Sequence, residues 1–168
     1  MSFSLIPDEI FDRYGEITPK LLSGRGIRLL LSDLDFTLAA RKTRHPDEPL
    51  KAWIAELKAA GIELMIVSNN RSGLRVREFC GELGIPYQGH AGKPGTKGLR
   101  EAMHRAHAGP GETAMLGDKL LTDVLSAKRA GVTALMVEPV GGPVTFWQKV
   151  LHAARAAALV CHQDLRAR

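Results

Sequence analysis

Ile27-Arg28-Leu29-Leu30-Leu31-Ser32-Asp33-Leu34-Asp35-Phe36-Thr37 is an apolar run that stops on two aspartates spaced two apart. A short run rich in β-formers and closed by polar residues reads as a buried strand with a polar carboxyl end. Four further runs repeat the pattern outward from it: Ile62 to Val67, Ile85 to Tyr87, Thr113 to Leu116 and Val132 to Val137. Amphipathic stretches separate them. Leu50, Trp53, Ile54 and Leu57 recur at helical spacing before Gly61, and further helices are expected over Leu74 to Leu83 and Lys97 to Ala106. A fourth is expected over Thr122 to Ala130, with Thr122 as N-cap and Gly131 as stop. This alternation predicts βαβ units: an α/β fold with a parallel sheet of about five strands and helices on both faces, three layers in all.

The flanks extend that unit. Residues 1–26 read as an irregular or helical arm in which Thr18-Pro19 starts a helix ending near Gly24. Residues 27–140 form the core. After Gly141-Gly142-Pro143, the stripe of Trp147, Leu151, Ala154, Ala158 and Cys161 predicts a C-terminal helix over 143–165. All 168 residues are expected to make one domain, long enough to bury about 70% of the unfolded surface without staples.

Composition narrows the class. Hydrophobic residues make up 45% and charged residues 24%, and no apolar run approaches the length needed to span a bilayer. The start of the chain carries Asp8 and Glu9 and no basic leader segment. Cys80 and Cys161 form no CxxC pair, so a reducing, cytoplasmic setting is expected. A net charge of +5 favours anionic ligands, but there is no block of consecutive basic residues and nucleic acid is not expected as a partner.

In open α/β sheets, ligands bind outside the carboxyl ends of the strands. There the sequence places Asp33 and Asp35, then Ser68-Asn69-Asn70, then Lys93, then Gly117-Asp118. On an extended chain the two aspartates leave on one face, about 6 to 7 Å apart, with room for a phosphoryl group between them. That spacing suits Asp33 as nucleophile and Asp35 as proton donor to the leaving oxygen and acceptor from water. Asp118 and Asp123 add two more carboxylates. Like charges about 4 Å apart cost on the order of 4 kcal/mol at an effective dielectric of 20, so the cluster calls for a divalent cation, and oxygen ligands select Mg²⁺. Lys93 and the Ser68 hydroxyl can stabilise the phosphoryl oxygens.

Each residue alone has a bland explanation. Thr122-Asp123 could be helix capping and Lys93 a solvated loop lysine; order and placement after successive strands favour one shared site. Other patterns fail: Tyr87 in place of the first glycine and Pro94 in place of Ser or Thr break a P-loop reading around Gly92-Lys93, and His104 and His107 with Glu101 lack a fourth metal ligand.

Asp33-x-Asp35-x-Thr37, Ser68, Lys93 and Gly117-Asp118-x-x-x-x-Asp123 resemble the four motifs of haloacid dehalogenase (HAD) superfamily phosphatases. Ile6-Pro7-Asp8, Ile17-Thr18-Pro19, Val67-Ser68-Asn69-Asn70 and the wording around Leu120-Leu121-Thr122 are similar to its subfamily IIIA, YqeG-like branch, which is related to mitochondrial phosphatidylglycerophosphate phosphatases. The resemblance implies a Rossmann-like, HAD-like fold and an aspartyl-phosphate on Asp33, with Asp35 as acid and base. It implies phosphate held by Ser68 and Lys93, with Thr37 and Asn69 beside them. The metal ligands implied are Asp33, the Asp35 carbonyl and Asp118, with Asp123 in support. Phe36 departs from the Asn expected in this branch. The intervals from Thr37 to Ser68 and from Ser68 to Lys93 leave no room for a cap domain, so the site is expected to be open, rimmed by Arg41, Lys42, Arg44 and Arg71. An open site suits a bulky or membrane-borne phosphomonoester, with peripheral contact at the inner membrane surface, or a neighbouring subunit in a homo-oligomer.

The leading expectation is therefore a Mg²⁺-dependent phosphomonoester hydrolase acting on a phosphatidylglycerophosphate-like lipid. A small soluble ester is the alternative substrate. A receiver domain would phosphorylate an Asp at the end of its third strand, where this chain has Tyr87-Gln88. A partner-binding protein that keeps the fold is a further alternative.

Overall fold

The computed structural model describes residues 5–70 and 73–142. Six strands form one sheet: β1 (Glu9–Phe11), β2 (Leu29–Ser32), β3 (Glu63–Val67), β4 (Tyr87–Gln88), β5 (Thr113–Gly117) and β6 (Thr133–Val137). Their spatial order is β1-β6-β5-β2-β3-β4, every pair parallel. The helices are α1 (Pro19–Gly24), α2 (Glu48–Ala59), α3 (Gly73–Leu83), α4 (Lys97–Arg105) and α5 (Leu125–Ala130).

Side chains alternate across β2, so its three leucines serve two cores. Leu30 packs with Leu64, Ile66 and Leu116 against Leu50, Trp53 and Leu57 of α2 and Val76 and Phe79 of α3. Leu29 and Leu31 pack with Met65, Val67 and Met115 against Leu99 and Met103 of α4 and Ala127 of α5. The four inner strands β2, β3, β5 and β6, covered on both faces, are buried along most of their length, which is why they read as continuous apolar runs. Each fully buried leucine contributes about 2 kcal/mol.

The five expected strands are β2 to β6, and the three-layer α/β architecture is as expected. The arm differs. Glu9–Phe11 is not irregular but a sixth strand, paired in register with Leu135–Val137. Asp8 secures it: its Oδ2 accepts the Ala134 N–H at 2.7 Å and its Oδ1 the Lys128 ammonium at 2.5 Å. Thr18 caps α1 as expected, accepting the Leu21 N–H at 3.2 Å. The indole of Trp53 donates to the Ile17 carbonyl at 2.9 Å, which ties the arm to α2.

Thr122 is not an N-cap. A π-helical turn over Leu120–Val124 precedes α5, and the Asp123 carboxylate reaches back to accept the Lys119 N–H at 3.1 Å. Gly131 does stop α5, at φ 74°. The expected helix over 143–165 lies outside the described residues. Among those described, no helix is long and apolar enough to cross a membrane.

From β2 the chain steps outward to β3 and β4, then returns to place β5 on the other side of β2. The order reverses between β2 and β5, and in such sheets the crevice opens at the carboxyl ends of those two strands. Among the described residues only α2 separates β2 from β3, and only α3 separates β3 from β4, so no cap domain is inserted.

Candidate active site

Asp33 stands at that reversal. Its N–H donates to the Leu116 carbonyl of β5 at 2.9 Å, which holds the residue just past the end of β2 with 11% of its side chain exposed. Leu34 then turns into the core, and Asp35 emerges beside Asp33 on the wall of the same cleft. Phe36 adopts φ 67°, a left-handed conformation that costs a bulky residue on the order of 1 kcal/mol. Its N–H donates to the Ala39 carbonyl at 2.8 Å, closing the turn that buries Thr37. The Thr37 hydroxyl donates to Asp118 Oδ1 at 3.2 Å, so Thr37 braces a carboxylate beneath the cleft.

The loop after β3 presents Ser68, Asn69 and Asn70. Both ends of the Asn69 amide grip the Lys93 backbone: Nδ2 donates to its carbonyl at 2.8 Å and Oδ1 accepts its N–H at 2.9 Å. Lys93, 2% exposed, thus enters the site from beyond β4, with Nζ 3.0 Å from Asp33 Oδ1 and 2.6 Å from Asp123 Oδ1. From the end of β5, Asp118 is fully buried and meets the Lys119 ammonium at 2.8 Å. Gly117 makes room for this: a Cβ there would lie 2.3 Å from the Asp123 side chain. The cleft encloses about 490 Å³ between these groups.

The haloacid dehalogenase-like hydrolase model matches residues 11–131 of this chain. The chain belongs to the haloacid dehalogenase-like hydrolase family. It is similar to the probable phosphatase YqeG of Bacillus subtilis (strain 168), with 36% identity over 135 residues, 80% of this chain and 78% of that one. Among solved structures, its fold is like an uncharacterized protein from Listeria monocytogenes serotype 4b, with TM-score 0.59 and 16% identity, covering 71% of this chain and 83% of that one. It is also like the cobalt-bound form of the deoxy-D-mannose-octulosonate 8-phosphate phosphatase of Haemophilus influenzae, with TM-score 0.50 and 22% identity, covering 67% and 69%.

In this HAD-like hydrolase, Asp33, Asp118 and Asp123 each bring a carboxylate oxygen to within 4.8 Å of the other two. Three clustered hard oxygens are a donor set suited to a divalent cation, so the residues present fit one. Burial pushes the Asp123 carboxyl up to about 6, with the neighbouring Lys93 ammonium partly offsetting it. Asp118 is raised for the same reason, offset in part by Lys119. Burial opposes charge on Lys93, but the attraction of Asp123 and Asp33 outweighs it and holds the ammonium well above the ordinary lysine range.

Of the sequence-derived site residues, Asp33, Asp35, Ser68, Asn69, Lys93, Asp123 and Arg41 line the cleft, while Thr37 and Asp118 lie buried beneath its wall. Arg44 and Lys42 are exposed and stand outside the lining. Arg71 lies outside the described residues. His104 on α4 and His107 just past its end are both exposed.

Two residues of this hydrolase's site escaped the sequence reading. Arg75, near the start of α3, pairs with Asp35. Lys119 pairs with Asp118 and sits over the Phe36 ring, 5.5 Å from its centroid. Lys119 could have been found from its place directly after Asp118. Arg75 could not, because it is an ordinary helix arginine until α3 packs beside the loop after β2.

Proposed function

We propose that this hydrolase is a Mg²⁺-dependent phosphatase that cleaves a phosphomonoester through an aspartyl-phosphate on Asp33. The observation that carries the reading is the position of the Asp33 carboxylate, open to the cleft at the switch point and in contact with a buried lysine. Lys93 holds one Asp33 oxygen and orients the other toward an incoming phosphorus. As the Asp33 oxygen bonds to phosphorus, the bond to the ester oxygen breaks and Asp35 gives that oxygen its proton. Asp35 then takes a proton from water, whose oxygen attacks phosphorus, releasing phosphate and restoring Asp33. Ser68 and the Lys93 ammonium donate to phosphoryl oxygens, and Asn69 keeps Lys93 in place. Asp33 and Asp118, with Asp123 and the Asp35 carbonyl close by, would hold Mg²⁺, which neutralises charge between the carboxylates and the phosphate.

For the substrate, a phosphatidylglycerophosphate-like lipid is the leading candidate. Among the described residues no cap covers the cleft, and Arg41 stands at its wall to attract an anion. A small soluble ester is the second candidate, favoured by the modest cleft volume of about 490 Å³. Mg²⁺-dependent phosphate release is measured on the lipid in detergent, sugar phosphates, nucleotides and p-nitrophenyl phosphate, with Asp33→Asn as control. Turnover lost in Asp33→Asn is expected, with preference for the lipid. Full activity in that variant would sink the mechanism, and preference for a sugar phosphate would replace the lipid.

A further inference from the structure

We propose that Lys119 is a displaceable cation: its ammonium bridges Asp118 and Asp33 until a divalent cation claims those two carboxylates, and is then released into the cleft. The proposal rests on the metal-dependent reading above. Lys119 Nζ lies 2.8 Å from Asp118 Oδ1 and 3.8 Å from Asp33 Oδ2, two of the three carboxylates whose oxygens cluster. The third carboxylate, Asp123, anchors the Lys119 main chain through its N–H at 3.1 Å. The cluster therefore fixes where this lysine starts, and its side chain spans the remaining two acids.

The two lysines of the site differ in freedom. Lys93 is enclosed, clamped by Asn69 along its backbone and by Asp33 and Asp123 at its tip. Lys119 is 33% exposed, lines the cleft and lies against the face of Phe36. Magnesium binds carboxylate oxygens at about 2.0 to 2.1 Å and carries twice the ammonium's charge, so an ion seated between Asp118 and Asp33 repels an ammonium that occupies the same space. The one that can move yields.

A lysine suits this part. It is a compact point charge on a flexible stem, and it leaves an ion pair without breaking a forked geometry. Exchange of one cation for another also keeps the buried carboxylates compensated throughout, avoiding the cost of leaving a buried charge alone. Once released, the ammonium remains tethered at the cleft wall as an N–H donor for an anionic ligand.

The test is calorimetric titration of MgCl₂ into the full chain, wild type against Lys119→Met, with amine labelling of the wild type read by mass spectrometry. Removing the competing ammonium is expected to tighten Mg²⁺ binding about tenfold or more. Labelling of Lys119 is expected to rise several-fold when Mg²⁺ is added, while the enclosed Lys93 stays unlabelled in both conditions. Equal Mg²⁺ affinity of the two proteins, with Lys119 labelling unchanged, overturns the proposal and leaves metal dependence standing. Failure of Mg²⁺ to bind either protein overturns the metal-dependent reading and this proposal together. The labelling needs no substitution, so it decides the matter even where Lys119→Met does not fold.

Discussion

The guanidinium of Arg75 grips the Asp35 carboxylate and, with its other nitrogens, the loop that follows it. Nε donates to the Thr43 carbonyl at 3.0 Å and Nη2 to the Ala40 carbonyl at 3.1 Å, while Nη1 pairs with Asp35 Oδ1. One side chain from α3 thus fixes both the proposed acid and base and the backbone leading away from it. A planar fork with several donors can do this, and an ammonium cannot.

Arg75→Lys is therefore expected to lower kcat/KM, and Arg75→Ala to lower it on the order of 10²-fold, because misplacing a catalytic group by about 1 Å costs that much. Steady-state kinetics on the preferred ester measure it. Unchanged kinetics in Arg75→Ala would show that Asp35 is positioned by other contacts.

The raised Asp123 carboxyl sets a pH dependence. Its folded value, about 6, lies above the ordinary 3.8, so the folded chain binds this proton more readily than the unfolded chain. The metal-free protein accordingly gains stability from this group as pH falls through about 6 toward 3.8, and the gain is absent above the folded value. Divalent cations need the carboxylate form. The rise in melting temperature on adding Mg²⁺ should therefore be large above pH 6 and shrink below it. Thermal unfolding with Mg²⁺ or with chelator across that range reads the difference, and a Mg²⁺ effect that grew on acidification would refute the assignment.

How far the sequence reveals this molecule depends on the range of each contact. β2, β3, β5 and β6 were legible because strands buried on both faces must be apolar, the half-buried edge strand β4 only from the short run Ile85 to Tyr87, and the helices because Trp53, Leu57 and their like repeat at helical spacing. Asp33, Ser68, Lys93 and Asp118 were legible because each directly follows or lies near the end of such a run. β1 was hidden: three residues carry no period, and their partners Leu135–Val137 are more than a hundred residues away. Thr122 misled because capping preference is local, whereas the turn at Leu120–Val124 is set by Asp123 reaching back to the Lys119 N–H. Asn69 and Arg75 act on backbone atoms of distant loops, for which a sequence has no symbol.

Gly117 and Gly98 allow packing strain to be separated from damage to the site. A Cβ on Gly117 would lie 2.3 Å from Cβ and Cγ of Asp123, whose buried carboxylate is held by Lys93 and by the Lys119 N–H and cannot retreat. A Cβ on Gly98 would lie 2.6 Å from the backbone of Ala91, equally crowded, where α4 packs beside the loop leading to Lys93. Both alanine variants should lose about 1 to 3 kcal/mol or more to overpacking, since neither neighbour is a flexible side-chain tip. Only Gly117→Ala moves a carboxylate of the acidic cluster. Its melting temperature should therefore fall and also stop responding to Mg²⁺, whereas Gly98→Ala should be destabilised and still respond. Equal Mg²⁺ responses in the two variants would mean that Asp123 does not contribute to cation binding, and would leave Asp33 and Asp118 to hold the ion alone.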